Sequence, residues 1–211
     1  LLNPPWERDH YLTFYGVLSD SDVATVGGTQ TVGKGRIFGL RYIIPLWPYK
    51  NYFHNFTAGV DYKDFDEDIG LAEAEDFSTP VSYVPISFSY AGTRPDSSGL
   101  TEVRAAVNLS LRGLADQDEF EEKRFNARAN YIYLQAGFER TQKFANLELF
   151  GGLDGQIADN PLISNEQYLA GGMDSVRGYK QAEVSGDNAL HWTFELRSPD
   201  LVSKLNLDHN L

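Results

Sequence analysis

The sequence predicts an all-β fold, a transmembrane antiparallel β-barrel of which this chain forms a part with roughly nine strands. Apolar and polar residues alternate with a period of two, and most alternating segments reach the roughly 9–11 residues that a tilted strand needs to cross a bilayer. The connections between the segments also alternate between long and short, as they do in outer-membrane barrels.

The individual strands are predicted from this alternation, in chain order. It is clearest in four segments with one apolar and one polar face: His54–Lys63, Val84–Tyr90, Glu102–Arg112 and His191–Arg197. Further strands are predicted over Tyr11–Leu18, Gly35–Leu46, Asn126–Arg140, Ala145–Asp154 and Val176–Val184. No amphipathic helix is predicted. The acidic residues 64–77 could form one short helical turn at most, and the acidic run 116–122 is predicted to be a solvated loop.

The connections predict two different ends of the sheet. Long connections are predicted at residues 19–34, 64–79, 113–124 and 155–175, and shorter ones at 45–52, 91–99, 141–144 and 185–189. A soluble β-sandwich, with one face on a core and one in water, is the alternative interpretation of the same alternation. Because a sheet exposed to lipid must close, residues 1–211 are expected to be part of a single barrel domain.

Composition and motifs exclude several function classes. The net charge of −12 argues against nucleic acid as a partner, and the absence of cysteine excludes a disulfide framework and a thiolate metal site. The four histidines have no ligand spacing. Residues 28–35 resemble a phosphate-binding loop, but Gly35 stands where Ser or Thr is needed and a strand follows. We therefore predict no catalytic residue, no cofactor and no metal site.

One short motif remains, Val176-Arg177-Gly178-Tyr179. It follows a long connection at the start of a predicted strand, so Arg177 could point into a barrel lumen and pair there with a carboxylate. A simple β-turn with the arginine in water is the alternative. The polar face of the predicted strands supplies the candidates for residues that line a pore: Arg104, Asn108, Arg112, Glu195 and Arg197.

Residues 168–201, YLAGGMDSVRGYKQAEVSGDNALHWTFELRSPDL, resemble the signature region of the two-partner secretion transporters of the haemolysin activation/secretion type. This family lies within the superfamily of outer-membrane polypeptide translocases and assembly factors. The resemblance implies a barrel of sixteen strands in the outer membrane of a Gram-negative bacterium. Periplasmic polypeptide-binding domains and the last strands are expected outside this chain.

The resemblance also implies the function and the partners. The barrel would translocate a large unfolded exoprotein, such as a haemolysin or an adhesin, and its partners would be that client and the lipid bilayer. The alternative within the superfamily is a factor that inserts other barrels into the membrane. A passive porin and a soluble sandwich are the alternatives outside it.

In that family the loop with the motif folds back into the barrel, where its arginine contacts an aspartate of a later strand. By this resemblance Arg177 is the anchor of the loop and Tyr179 packs its tip. The glycines permit its tight backbone path: Gly171, Gly172 and Gly178. Asp174, Ser175 and Val176 complete the motif.

Overall fold

The structure is a computed structural model that describes residues 9–24, 30–70, 77–173 and 175–198. The strands of the described residues are β1 (Tyr11–Ala24), β2 (Gln30–Pro45), β3 (Phe53–Gly70), β4 (Phe77–Ser78), β5 (Val81–Asp96), β6 (Gly99–Ala115), β7 (Ile132–Phe144), β8 (Leu147–Ala158), β9 (Tyr168–Ala170), β10 (Val184–Gly186) and β11 (Ala189–Arg197). One α-helix, α1 (Gln117–Lys123), and one 3₁₀ turn, Ser164–Glu166, accompany them. No helix in this described part of the chain is long and apolar enough to cross a bilayer.

The long strands form a single antiparallel sheet in the order β1-β2-β3-β5-β6-β7-β8-β11, and the short β4 pairs with β3. Every strand in this order pairs with its neighbour in an antiparallel register. Within the described residues, β1 and β11 are the two edges of the sheet. The predicted antiparallel sheet is confirmed.

The two faces of the sheet differ in the way that the alternation predicts. Residues that are directly opposite each other across neighbouring strands lie on the same face. One face carries apolar pairs such as Val60 opposite Ile86, and its large side chains are exposed, including Phe138 and Trp192, which are 48% and 78% exposed. The other face, the polar face, carries ionisable side chains and is partly covered by loops. An exposed apolar face and a covered polar face reverse the arrangement of a soluble sheet, and they suit a barrel wall in lipid.

A hydrophobic core lies where the long connections cover the polar face. Its buried residues come from β5, from α1 and from the segments around β7 and β8: Val81, Tyr83, Phe120, Ala127, Ala129, Tyr131, Tyr133, Leu162 and Ile163. The run 116–122, predicted to be a solvated loop, forms most of α1 instead. The carboxylate of Asp116 caps the helix by accepting a hydrogen bond from the backbone N–H of Asp118, and Phe120 is fully buried. The burial of one aromatic ring explains why this acidic segment is ordered.

Several other predictions about elements are wrong. The predicted short connections 91–99 and 141–144 belong mostly to strands, since β5 extends to Asp96 and β7 to Phe144. Residues 176–183 are turns rather than a strand, and 159–188 is one long connection between β8 and β11, which pair directly. Residues 64–70 continue β3 as a strand because they pair with β2. The predicted connection 19–34 is shorter, since β1 and β2 extend to Ala24 and Gln30; residues 25–29 lie outside the described residues.

Candidate functional site: the motif loop on the polar face

Residues 159–188, which we call the motif loop, leave the sheet from β8 and return to it at β11. Within the loop, β9 and β10 pair as a short antiparallel hairpin, with Ala170 opposite Val184. The side chains of the loop contact the polar face of the sheet at several strands, from β3 to β11. The loop therefore lies over the polar face.

The described residues of the loop tip, 171–173 and 175–179, have the backbone geometry of tight turns. Gly171, Gly172 and Gly178 have φ angles of 115°, 92° and 93°. Residues other than glycine rarely adopt such positive φ angles. A Cβ at Gly171 would also collide with the backbone carbonyl of Lys180. The Ser175 hydroxyl accepts a hydrogen bond from the Gly171 N–H at 2.8 Å and donates one to the Gly171 carbonyl at 3.0 Å. The predicted motif residue Asp174 lies outside the described residues.

Arg177 reaches the polar face of β11. Its Nη2 lies 3.1 Å from Oε1 of Glu195, and the other Glu195 oxygen accepts a bond of 2.8 Å from Arg197. Arg197 also pairs with Glu148 on β8 at 3.0 Å. Three residues predicted from the sequence, namely Arg177, Glu195 and Arg197, thus come together in one ion-pair group. The acidic partner of Arg177 here is a glutamate of β11.

The other residues of the motif are more exposed. The backbone N–H of Tyr179 donates to the Val176 carbonyl at 3.3 Å, so the motif forms a turn, and the Tyr179 side chain is 61% exposed. The resemblance implied that Tyr179 packs the loop tip, but a ring exposed to this extent does not do so.

Arg104 belongs to a second polar group, which lies beside the first. It pairs with Glu139 on β7 and lies 3.9 Å from Asp154 on β8. Asp154 also accepts a hydrogen bond from the hydroxyl of Tyr168 in the motif loop and lies 3.2 Å from Nδ1 of His191. A cavity of about 270 Å³ separates the loop tip from this part of the wall.

The last two predicted pore-lining residues lie apart from these groups. Asn108 is on the polar face, opposite Ser87 and Tyr133. Arg112 is exposed and lies within the irregularity in the register between β5 and β6, in the stretch between Ser110 and Ala115. It is therefore not brought together with the others.

The root of the motif loop is held by Glu166, which the sequence analysis did not identify. Its side chain is 2% exposed, and it accepts bonds from Lys63 Nζ at 2.5 Å, Tyr83 OH at 2.6 Å and Tyr133 OH at 2.7 Å. Its backbone carbonyl accepts a bond of 3.2 Å from the Gln156 side chain. One signal was available in the sequence, since two tyrosines crowd the polar face just before and within β7.

Asp187 joins the two legs of the motif loop to the end of α1. It accepts bonds from Arg124 at 2.5 Å, from Gln167 at 2.9 Å and from the backbone N–H of Leu162 at 3.2 Å. Burial alone would raise the pKa of Asp187. The hydrogen bonds from Arg124, Gln167 and Leu162 outweigh that effect, so the pKa lies below its ordinary value.

A further network, also missed from the sequence, lies between β1, β2 and β3. Arg41 binds both oxygens of Asp61 at 2.7 Å, and the Tyr15 hydroxyl donates to Asp61 at 2.8 Å while accepting from Arg41 at 2.8 Å. A Cβ at Gly39 would collide with the Tyr15 ring and the Asp61 carboxylate. Glycine at this position therefore gives the network its space.

Comparison with known proteins identifies the family. The family model for the haemolysin secretion/activation proteins ShlB/FhaC/HecB matches residues 29–210. The chain belongs to this family. Members of the ShlB family are outer-membrane transporters of Gram-negative bacteria, so the outer-membrane location is confirmed and the family is one of transporters rather than enzymes.

Among solved structures, CdiB from Escherichia coli is similar to this ShlB-family chain, with a TM-score of 0.65 and 17% identity. The match covers 89% of this chain and 34% of CdiB, so the chain spans about a third of the length of that protein. CdiB is a β-barrel, and the likeness confirms the predicted fold. No curated protein sequence matches the chain significantly.

The chemistry available at the polar face is ion pairing and hydrogen bonding. Within the described residues, no group of three or more His, Asp or Glu side chains could hold a metal ion. Both acidic and basic side chains line the wall, and the motif loop contacts both kinds. This arrangement can hold a loop in place and can present a polar surface to a chain that passes it.

Proposed function

We propose that the full-length protein translocates a large unfolded exoprotein, of the haemolysin or adhesin kind, across the bacterial outer membrane. In this proposal the polar face lines the conduit, and the motif loop is held inside it by Arg177. The observation that carries the proposal is the contact between Arg177 and Glu195 at 3.1 Å, which joins the signature motif to the wall.

The charges of the polar face support passage rather than tight binding. The basic side chains Arg104 and Arg197 pair with carboxylates on neighbouring strands. An extended client would meet paired charges, which attract it less than a surface of one sign does. No cofactor and no catalytic step are needed for such a function.

The test is secretion by the full-length protein, produced in bacteria together with its exoprotein. Arg177→Ala should lower the amount of exoprotein in the medium several-fold. The Arg177 side chain is 70% exposed, and exposed ion pairs contribute about 0–1 kcal/mol, so the barrel should remain folded. Arg128→Ala, a change of another exposed arginine near the motif loop, is the matched control and should secrete normally.

Each contrary result has a separate meaning. Normal secretion by Arg177→Ala in a folded barrel would remove the anchoring role. If the wild-type protein secreted no exoprotein but its loss reduced the insertion of other barrels, the alternative of an assembly factor would replace the proposal. Steady ion flow through the purified protein, with no effect of the client, would indicate a passive porin.

A further inference from the structure

Among the described residues of the motif loop, the most deeply buried charge lies outside the signature motif. Glu166 has a side chain that is 2% exposed, whereas the Arg177 side chain is 70% exposed. A carboxylate out of water costs several kcal/mol unless a counter-charge and hydrogen bonds compensate it. The loop therefore buries a carboxylate with a high desolvation cost at its root, eleven positions before Arg177.

The partners of Glu166 come from three strands. Oε1 accepts from Lys63 on β3 and from Tyr83 on β5, and Oε2 accepts from Tyr133 on β7. In the sheet, β6 lies between β5 and β7, so one carboxylate connects the loop to a section of wall four strands wide. Each of the two oxygens has a donor, which fixes the orientation of the group.

The residues next to Glu166 transmit this position to the rest of the loop. Ile163, which is fully buried, comes directly before the 3₁₀ turn that contains Glu166, and Tyr168 follows in β9. The Tyr168 hydroxyl donates to Asp154 on β8, and β9 pairs with β10 on the returning leg. The tip from Gly171 onwards is thus attached to a base that several strands hold.

We propose that Glu166 is a positioning residue for the motif loop: it fixes the root of the loop on the polar face, so that Arg177 reaches Glu195. Its role in secretion rests on the transport function proposed above. Its role in placing the loop does not, because the position of the loop can be measured without a client.

The test compares Glu166→Gln with wild type in the full-length protein. A spin label at Met173, in the exposed tip, and another at Phe144, at the exposed end of β7, report the distance between the loop tip and the wall. Residues 1–211 contain no cysteine, so cysteines introduced at these two positions are the thiols that take the spin labels in this part of the protein. Glu122→Gln makes the same change on an exposed face of α1 and is the matched control.

We expect a narrow distance distribution in wild type and in Glu122→Gln, and a broad or shifted one in Glu166→Gln. The fraction of molecules with the loop in place should fall about tenfold, because hydrogen bonds to a buried charge are among the stronger ones. Secretion should fall in parallel. An unchanged distance distribution in a folded Glu166→Gln barrel overturns the inference, whatever the secretion assay gives.

A second variant covers the case in which Glu166→Gln does not fold. Tyr83→Phe combined with Tyr133→Phe removes two hydroxyl donors and keeps both rings and the Lys63 ion pair. The distance distribution should broaden here also, and an unchanged one overturns the inference. If wild type secretes no exoprotein while the distances behave as expected, the proposed function fails and the positioning role stands.

Discussion

The network of Tyr15, Arg41 and Asp61 gives a prediction whose magnitude follows from its geometry. Asp61 is 8% exposed, binds Arg41 through both oxygens at 2.7 Å, and accepts a third bond from Tyr15. Asp61→Asn keeps the shape of the side chain and removes its charge. Arg41 then remains in the wall without its counter-charge.

Removal of one partner from a fully buried ion pair costs about 3–5 kcal/mol, mainly because the other charge is left uncompensated. The Arg41 side chain is 24% exposed, so water compensates part of that cost. We therefore expect Asp61→Asn to lower the free energy of unfolding by about 2–3 kcal/mol. Tyr15→Phe removes only the hydroxyl and should cost about 1.5 kcal/mol.

The assay is urea unfolding of the full-length protein in detergent. Unfolding is monitored as the loss of the folded band in gels run without heating. Arg41→Met together with Asp61→Asn removes both charges, and this pair should cost clearly less than the sum of the two single changes. Tyr62→Phe, on the apolar face, is the control for Tyr15→Phe and should stay within about 0.5 kcal/mol of wild type. Additive costs for Arg41→Met and Asp61→Asn would refute the reasoning, since they would mean that the two charges do not stabilise each other.

Two further predictions concern the motif loop. Gly171→Ala should strain the tip by about 1–3 kcal/mol and make it more sensitive to protease, because the new Cβ meets the Lys180 carbonyl at a φ of 115°. Gly178→Ala should have a milder effect, because there is open space around its Cβ. Equal effects of the two substitutions would contradict this prediction. The pKa of Asp187 lies below its ordinary value of 3.8, so its contribution to loop stability should be complete above that value and be lost as the pH falls through the lower folded pKa. Protection of the loop amides from hydrogen exchange at pH 7 and pH 3, each relative to the intrinsic exchange rate at that pH, measures this loss. It should be smaller in Asp187→Asn, and an equal loss in that variant would place the acid-sensitive group elsewhere.

The strands could be predicted from the sequence because lipid on one face and polar surroundings on the other impose a period of two. In strands such as β6 and β11, the alternation of apolar and polar residues therefore indicates by itself which face meets lipid. The segment Val176–Val184 has no strand partner over most of its length, and Gly178 with its positive φ turns the chain there. The motif in it could be recognised, but its position between two strands that pair directly with each other could not.

The buried groups could not be predicted for a different reason. Phe120 and Glu166 are surrounded by polar or acidic neighbours in the sequence, which indicates an exposed loop. Their burial results from contacts between segments far apart in the chain, such as the 103 positions that separate Lys63 from Glu166. Local composition carries no information on such contacts, so a burial of this kind becomes visible only in the fold.

The motif loop and the wall exchange acidic and basic roles between the two ends of the loop. This exchange explains how the loop keeps a single orientation on a wall that carries both positive and negative side chains. At its root the loop contributes the acid, Glu166, and the wall contributes the base, Lys63; at its tip the loop contributes the base, Arg177, and the wall the acid, Glu195. If the loop were reversed, Glu166 would face Glu195 and Arg177 would face Lys63, and like charges would meet at both ends. Such repulsion excludes the wrong arrangement even where the attraction in the right one is small, as it is for the exposed Arg177. A weak contact at the tip can therefore still be specific, because the strong contact at the root has already fixed the direction of the loop.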